Sequence, residues 1–141
     1  MTIHQLSIFI ENRSGTLIKV LEVLKQANIQ IIASTIADTA EYGIYRLVCS
    51  EPMRACEELK KAGVAVALSE VFALEVDDVP GRAADAVSAF SEAGISITYM
   101  YSFLLGGKGV LIFRTDNTER ARQLITEGHL NVIQEEDLVN L

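Results

Sequence analysis

The second half of this chain repeats its first, and this limits what it can fold into more than any other feature. Sliding the sequence by the 66 residues that separate Gly15 from Gly81 lays one half on the other without a gap. Leu6, Ile8 and Ile10 fall on Phe72, Leu74 and Val76, and Ala27, Ile29 and Ile31 fall on Ala93, Ile95 and Ile97. Gly43 meets Gly109, Leu47 meets Phe113 and Ala55 meets Ala121. The side chains differ while the apolar periodicity persists, so both halves must satisfy one plan of elements.

Either copy gives that plan. Residues Ile3–Ile10 alternate, with Leu6, Ile8 and Ile10 on one face, as a half-buried strand does. After the turn at Asn12–Gly15, Leu17, Val20, Leu21 and Leu24 recur at helical spacing. The stretch NIQIIASTIA returns to alternation, and YGIYRLVCS, after a turn at Glu41-Tyr42-Gly43, is its hairpin partner. Pro52 opens a second helix whose face is Ala55, Cys56, Leu59 and Ala62, Gly63 stops it, and VAVAL makes a short fourth strand. The second copy gives a strand over Val71–Val76, a helix over Arg82–Ala93, and a hairpin of Ile95–Phe103 with Val110–Arg114. A helix over Thr118–Glu127 and a strand over Asn131–Gln134 complete it.

The order β-α-β-β-α-β, met twice, predicts an α+β fold of two ferredoxin-like sandwiches in tandem, residues 1–68 and 69–141. Each antiparallel sheet is expected to carry its helices on one face. Only Ser69 and Glu70 lie between the copies, and two residues at about 3.3 Å each cannot cross a sheet several strands wide. Two solutions remain: a hairpin of Val64–Leu68 with Val71–Val76, or one bent strand that feeds two sheets.

Composition narrows the function. Half of the 141 residues are hydrophobic, ample for a core, and the formal charge of -7 disfavours a nucleic-acid partner. No apolar run approaches the roughly 20 residues that span a bilayer, and the start lacks the pattern of a secretion signal. The expectation is therefore a cytoplasmic protein with no membrane partner. Cys49 and Cys56 lack CxxC spacing and read as small buried thiols, and His4 and His129 have no ligand-spaced neighbour. No metal and no cofactor are expected.

The stretch DDVPGR, Asp77–Arg82, offers three chemistries: a catalytic acid pair, a phosphate loop or a helix start. Its counterpart ENRSGT places Glu11 and Asn12 opposite Asp77 and Asp78. Asp and Asn share an oxygen acceptor and not a titrating proton, which disfavours acid–base catalysis by Asp78. One glycine is too few for a phosphate cradle, and Gly106-Gly107-Lys108-Gly109 lies between two strands with no helix after it. A helix start remains, with Asp78 or Asn12 as the capping side chain and proline in the first turn. No nucleophile–base pair is visible, so the chain is not expected to be an enzyme.

These residues resemble the ACT domain family. The aspartate/asparagine-x-x-glycine turn between first strand and first helix is Asp78-Val79-Pro80-Gly81 in copy two and, more loosely, Asn12-Arg13-Ser14-Gly15 in copy one. AGISI after the helix, and ANIQI in copy one, match as well. The resemblance covers nearly the whole chain as a tandem pair. It implies a regulatory module, here a free-standing one, that binds a free amino acid where two such domains meet and regulates a metabolic enzyme partner, as a homodimer. An adaptor that assembles with itself or an enzyme without any ligand is the alternative.

For a zwitterion, the exposed N–H groups at a helix start would suit the carboxylate and an adjacent side-chain oxygen the ammonium. The expected ligand residues are Asn12, Arg13, Ser14, Gly15 and Thr16 in copy one. In copy two they are Asp78, Val79, Pro80, Gly81, Arg82 and Ala83, with Tyr99 and Tyr101 of the following strand setting selectivity. Those tyrosines pack under the helices in the alternative reading.

Overall fold

The computed structural model describes residues 1–11, 13–38 and 42–139. Its elements are β1 (Ile3–Glu11), α1 (Thr16–Gln26), β2 (Ile31–Asp38), β3 (Tyr42–Cys49), α2 (Pro52–Lys61) and β4 (Ala65–Asp77). They continue with α3 (Arg82–Glu92), β5 (Ile97–Leu105), β6 (Lys108–Thr115), α4 (Thr118–Glu127) and α5 (Glu135–Val139). The chain divides into two units, one built on His4–Ser69 and the other on Glu70–Asp137, with Met1–Ile3 grouped with the second.

In the first unit the strand order is β2-β3-β1-β4, all neighbours in a ferredoxin-like sheet. Leu6 faces Leu47 and Ile8 faces Tyr45 across β1 and β3, and this face is covered by Val20 and Leu24 of α1 and Ala55, Cys56 and Leu59 of α2. The core is aliphatic apart from two cysteines and Tyr45, whose hydroxyl donates to Ser34 Oγ at 3.0 Å. Both cysteines are buried and outside any disulfide, Cys49 at the end of β3 and Cys56 in α2.

The second unit repeats the plan with rings in place of aliphatic chains. Phe72 of β4 lies opposite Phe113 of β6, their centroids 5.7 Å apart, and Phe90 of α3 meets Phe113 edge-on at 5.1 Å. Leu111, Ala121 and Ile125 belong to the same cluster, so α3 and α4 cover one sheet face as α1 and α2 do in the first unit.

The four long helices also end alike. Asn28, Gly63, Gly94 and His129 each take positive φ just past a helix. The next residue's N–H reaches back five positions each time: Ile29 to Leu24, Val64 to Leu59, Ile95 to Phe90, Leu130 to Ile125. This is the Schellman stop. It gives His129 a place in the fold as one of these stops.

Two expectations need correction. The Val64–Leu68 and Val71–Val76 stretches do not form a hairpin: they are one continuous strand, β4, running through Ser69 and Glu70. The bent-strand alternative has the right connectivity. The strand expected over Asn131–Gln134 shrinks to a single bridge, Leu74 with Val132, held by Glu75 N–H to Asn131 C=O and Ile133 N–H to Ala73 C=O. The backbone turns instead into α5, where Asp137 Oδ2 accepts from Gln134 N–H at 3.2 Å. Three acids in the first turn suit the positive end of that helix, and local capping wins over strand extension. At the first hairpin, Tyr42 and Gly43 lie within β3 rather than in the turn, and residue 41 falls outside the described residues.

Candidate functional site

The chain enters α1 and α3 by one backbone route. Arg13 N–H donates to Glu11 C=O at 2.8 Å and Val79 N–H to Asp77 C=O at 2.9 Å. Thr16 N–H then reaches Arg13 C=O, and Arg82 N–H reaches Val79 C=O, at a long 3.5 and 3.4 Å. Gly15 has φ 92 and ψ -14, and Gly81 has φ 91 and ψ -10, the third position of a type II turn. A side chain there would be strained, whatever the room around it. Ser14 and Pro80 hold the second position, which none of these bonds uses as a donor, so proline fits one copy and serine the other without altering the path.

For Asp78 and Pro80 this corrects the helix-start reading. The residue before each helix is the left-handed glycine, and among the described residues no side chain caps α1 or α3. Asp78 is exposed and does not cap α3; Pro80 precedes the helix instead of opening it. Asn12 lies outside the described residues. In copy one Thr16 Oγ1 donates to the Glu11 and Arg13 carbonyls at 2.7 and 3.0 Å, bonds that Arg82, its counterpart, has no hydroxyl to make.

Beside each turn is a cavity, and the two occupy equivalent places. In the first unit a cavity of about 300 Å³ is lined by Phe9, Ile10, Glu11, Arg13, Thr16, Lys19 and Val20, and by Gly63, Val64 and Ala65 at the start of β4. In the second, about 270 Å³ is lined by Glu75, Val76, Asp77, Arg82, Asp85, Ala86, Lys108, Leu130 and Asn131. A shift of 66 carries Ile10 to Val76, Thr16 to Arg82, Lys19 to Asp85, Val20 to Ala86 and Val64 to Leu130. Each cavity therefore lies at the end of the unit's first strand, between the first turn of a helix and the residues leading into or forming the fourth pairing.

The charges do not repeat. Arg13 Nε pairs with Glu11 at 2.9 Å in the first cavity. In the second, Lys108 Nζ pairs with Asp77 at 2.6 Å across the β4–β6 ladder, and Arg82 Nη1 pairs with Asp85 at 3.1 Å. The hydrogen bond from Lys108, and next its charge, hold the Asp77 carboxyl below its ordinary range; the same bond raises Lys108.

Of the residues expected from sequence, Arg13 and Thr16 line the first cavity and Arg82 lines the second. Gly15 and Gly81 shape the turns, and Ser14, Val79, Pro80 and Ala83 are exposed beside them. Tyr99 and Tyr101 are not brought to the cavity. Met100 faces Phe113 on the helix side, so Tyr99 and Tyr101 project from the opposite face with Ile112, and they do not pack under the helices either. Lys19, Asp85 and Lys108 were missed as lining residues. Lys19 and Asp85 are one helical turn past the glycines and are partners in the repeat, which is the signal that could have found them. The larger depression between α1 and α2, about 580 Å³, holds none of these groups. There Arg54 clasps the Glu51 carboxylate at 2.7 Å and the Ala27 carbonyl at 2.5 Å, a tie between helices.

A family model describing an ACT domain pair matches residues 1–141. The chain belongs to the ACT domain family. A crystal structure of a Bacteroides thetaiotaomicron protein superposes with a TM-score of 0.94 at 35% identity, covering 100% of this chain and 98% of that one. The ligand-free regulatory subunit of aspartate kinase from Thermus thermophilus gives a TM-score of 0.65 at 16% identity, covering 89% and 90%. The Thermus flavus regulatory subunit gives 0.59 at 15%, covering 89% and 92%. The last two show likeness of fold. No curated protein sequence matches the chain. Among the described residues, no helix is long and apolar enough to cross a membrane, and no three His, Cys, Asp or Glu gather as a metal site requires.

Proposed function

We propose that this ACT pair is a regulatory protein that binds a free amino acid, or a similar small zwitterion, at the turns preceding α1 and α3, and has no catalytic activity of its own. The observation that carries the reading is the pair of equivalent cavities. Each joins an apolar floor, Ile10 and Val20 or Val76 and Ala86, to basic and acidic groups a few ångströms apart. An α-amino acid needs just these: a cation for its carboxylate, an acceptor for its ammonium and apolar surface between. Charge-assisted hydrogen bonds contribute roughly 1.5–3 kcal/mol each, so a few support micromolar binding after association costs.

Regulatory subunits of aspartate kinase share the fold, which makes a metabolic enzyme the first partner to test. A second copy of the chain is the other proposed partner, joined along the outer strand β2 or β5. Two buried cysteines outside any disulfide suit a reducing compartment, and we place the protein in the cytoplasm.

A thermal-shift panel of the common amino acids tests the reading. A ligand at a hundredfold over its Kd adds about 2.7 kcal/mol and raises Tm measurably. No shift with any amino acid, together with a stable complex with an enzyme, would favour the ligand-free adaptor instead.

A further inference from the structure

The two cavities share a position and are close in volume but differ in the charge they present. The first holds two bases, Arg13 and Lys19, and one acid, Glu11, a net charge of +1. Glu11 is taken by Arg13, and Lys19 has no acidic partner among the described residues. The first turn of α1 has no acid, so its positive end adds to the same sign. The second cavity holds three acids, Glu75, Asp77 and Asp85, against Arg82 and Lys108, a net charge of -1. Both bases are already bound to carboxylates of the cavity itself. Asp85 stands in the first turn of α3, where a ligand carboxylate would otherwise meet the helix.

We infer that the cavity beside α1 is the carboxylate-accepting site of this chain, with Lys19 as its specificity-determining cation. The cavity beside α3, lined by the carboxylate of Asp85 in the first turn of that helix, excludes the same ligand. The preferred ligand carries more carboxylate than ammonium. An acidic amino acid in the first cavity meets an uncommitted cation. In the second it must displace Asp85 from Arg82, or Asp77 from Lys108, against a net negative wall. Like charges brought together suppress the wrong partner, as added contacts favour the right one. The inference rests on the amino-acid-binding reading above.

L-glutamate added to the isotopically labelled chain, followed residue by residue by NMR, is the test. The expected result is saturable shifts at Arg13, Thr16, Lys19, Val20 and Val64 with none at Asp85 and Ala86. Lys19→Asp should weaken binding at least tenfold with the spectrum otherwise unchanged, so that loss of fold is told apart from loss of site. Asp85→Lys should open a second set of saturable shifts around Arg82. Equal shifts at both cavities, shifts only beside α3, or unchanged affinity in Lys19→Asp would overturn the inference. If other amino acids raise Tm while L-glutamate perturbs neither cavity, the inference fails and the binding function stands. If none binds at all, both fall.

Discussion

The entrances to α1 and α3 have the same backbone and different side chains, and the contrast separates what the repeat preserves from what it leaves free. Three successive hydrogen bonds recur at a 66-residue offset, and the glycine torsions agree within 4 degrees. Around that constant path, Thr16 becomes Arg82, Lys19 becomes Asp85 and Phe9 becomes Glu75. The turn is fixed by a torsion that favours glycine and by the strand register that leads into it. Nothing in either requirement constrains the sign of a charge one helical turn away. Shape repeats because the backbone needs it, and the recognition chemistry can diverge.

The widest energetic difference between the units should lie in their cores. Phe113 has ring partners on two sides, whereas Leu47 at the matching position packs among aliphatic chains and Tyr45. Phe113→Ala should cost about 3–5 kcal/mol, and Leu47→Ala about 2–5 kcal/mol toward the lower end, read from urea midpoints at constant m. Equal losses would show that the ring pairs contribute nothing beyond buried area. Next come Gly15→Ala and Gly81→Ala. An added Cβ would meet nothing within 4 Å at either position, so the cost is the left-handed torsion alone, about 1–2 kcal/mol and the same for both. A cost at one glycine only would mean that the turns are not the same turn.

Much of this architecture is legible in the sequence because apolar periodicity specifies it twice. β1, α2, α3 and α4 come out within a residue or two of the expected bounds, and α1 spans the expected stripe from Leu17 to Leu24, since each buries a stripe that one copy alone reveals. The last strand failed because its Val132 looks like Val66, while the acids at 135–137 that divert the chain into α5 have no counterpart within copy one. The candidate site was half legible. The glycines announce the turn, but the match of Asp78 to Asn12 and the aspartate-x-x-glycine pattern point to Asp78 and away from Asp77. The left-handed glycine does the turning, and Asp77 instead faces Lys108 across the ladder, a pairing set by register. Tyr99 and Tyr101 share a face as period two requires, but which face that is depends on the bulge between Ile97 and Tyr99, and no local signal reveals it.

Exchanging the second turn residue between copies is a smaller perturbation. Proline suits this position of a type II turn and restricts the unfolded chain. Ser14→Pro should therefore stabilise the first unit by about 0.4–1 kcal/mol, and Pro80→Ser should lose a similar amount from the second. Destabilisation by Ser14→Pro in chemical denaturation would show that the torsion before Gly15 differs from that before Gly81, despite the shared hydrogen bonds.

The finest contrast is at one cross-strand position, where Asp77 faces Lys108 in the second unit and Glu11 faces Tyr42 in the first. Removing the partner in Lys108→Ala should raise the Asp77 midpoint toward the ordinary aspartate range, because the bond from Lys108 is the first cause of its depression and the Lys108 charge the second. A carboxyl whose folded pKa lies below its unfolded one stabilises above the unfolded value, and that contribution is lost as pH falls through the folded value. Lys108 has the opposite sign: raised in the fold, it stabilises below the ordinary lysine range and loses this as pH rises through its folded value. Wild type and Lys108→Ala should therefore differ most near neutrality and converge in strong acid. The difference should be small, because both side chains are about half exposed and solvent screens the pair. Carboxyl-carbon NMR of Asp77 reads the effect directly. An unchanged midpoint in Lys108→Ala would mean the 2.6 Å pair is not held in solution, leaving Lys108 free to meet a ligand carboxylate in the second cavity.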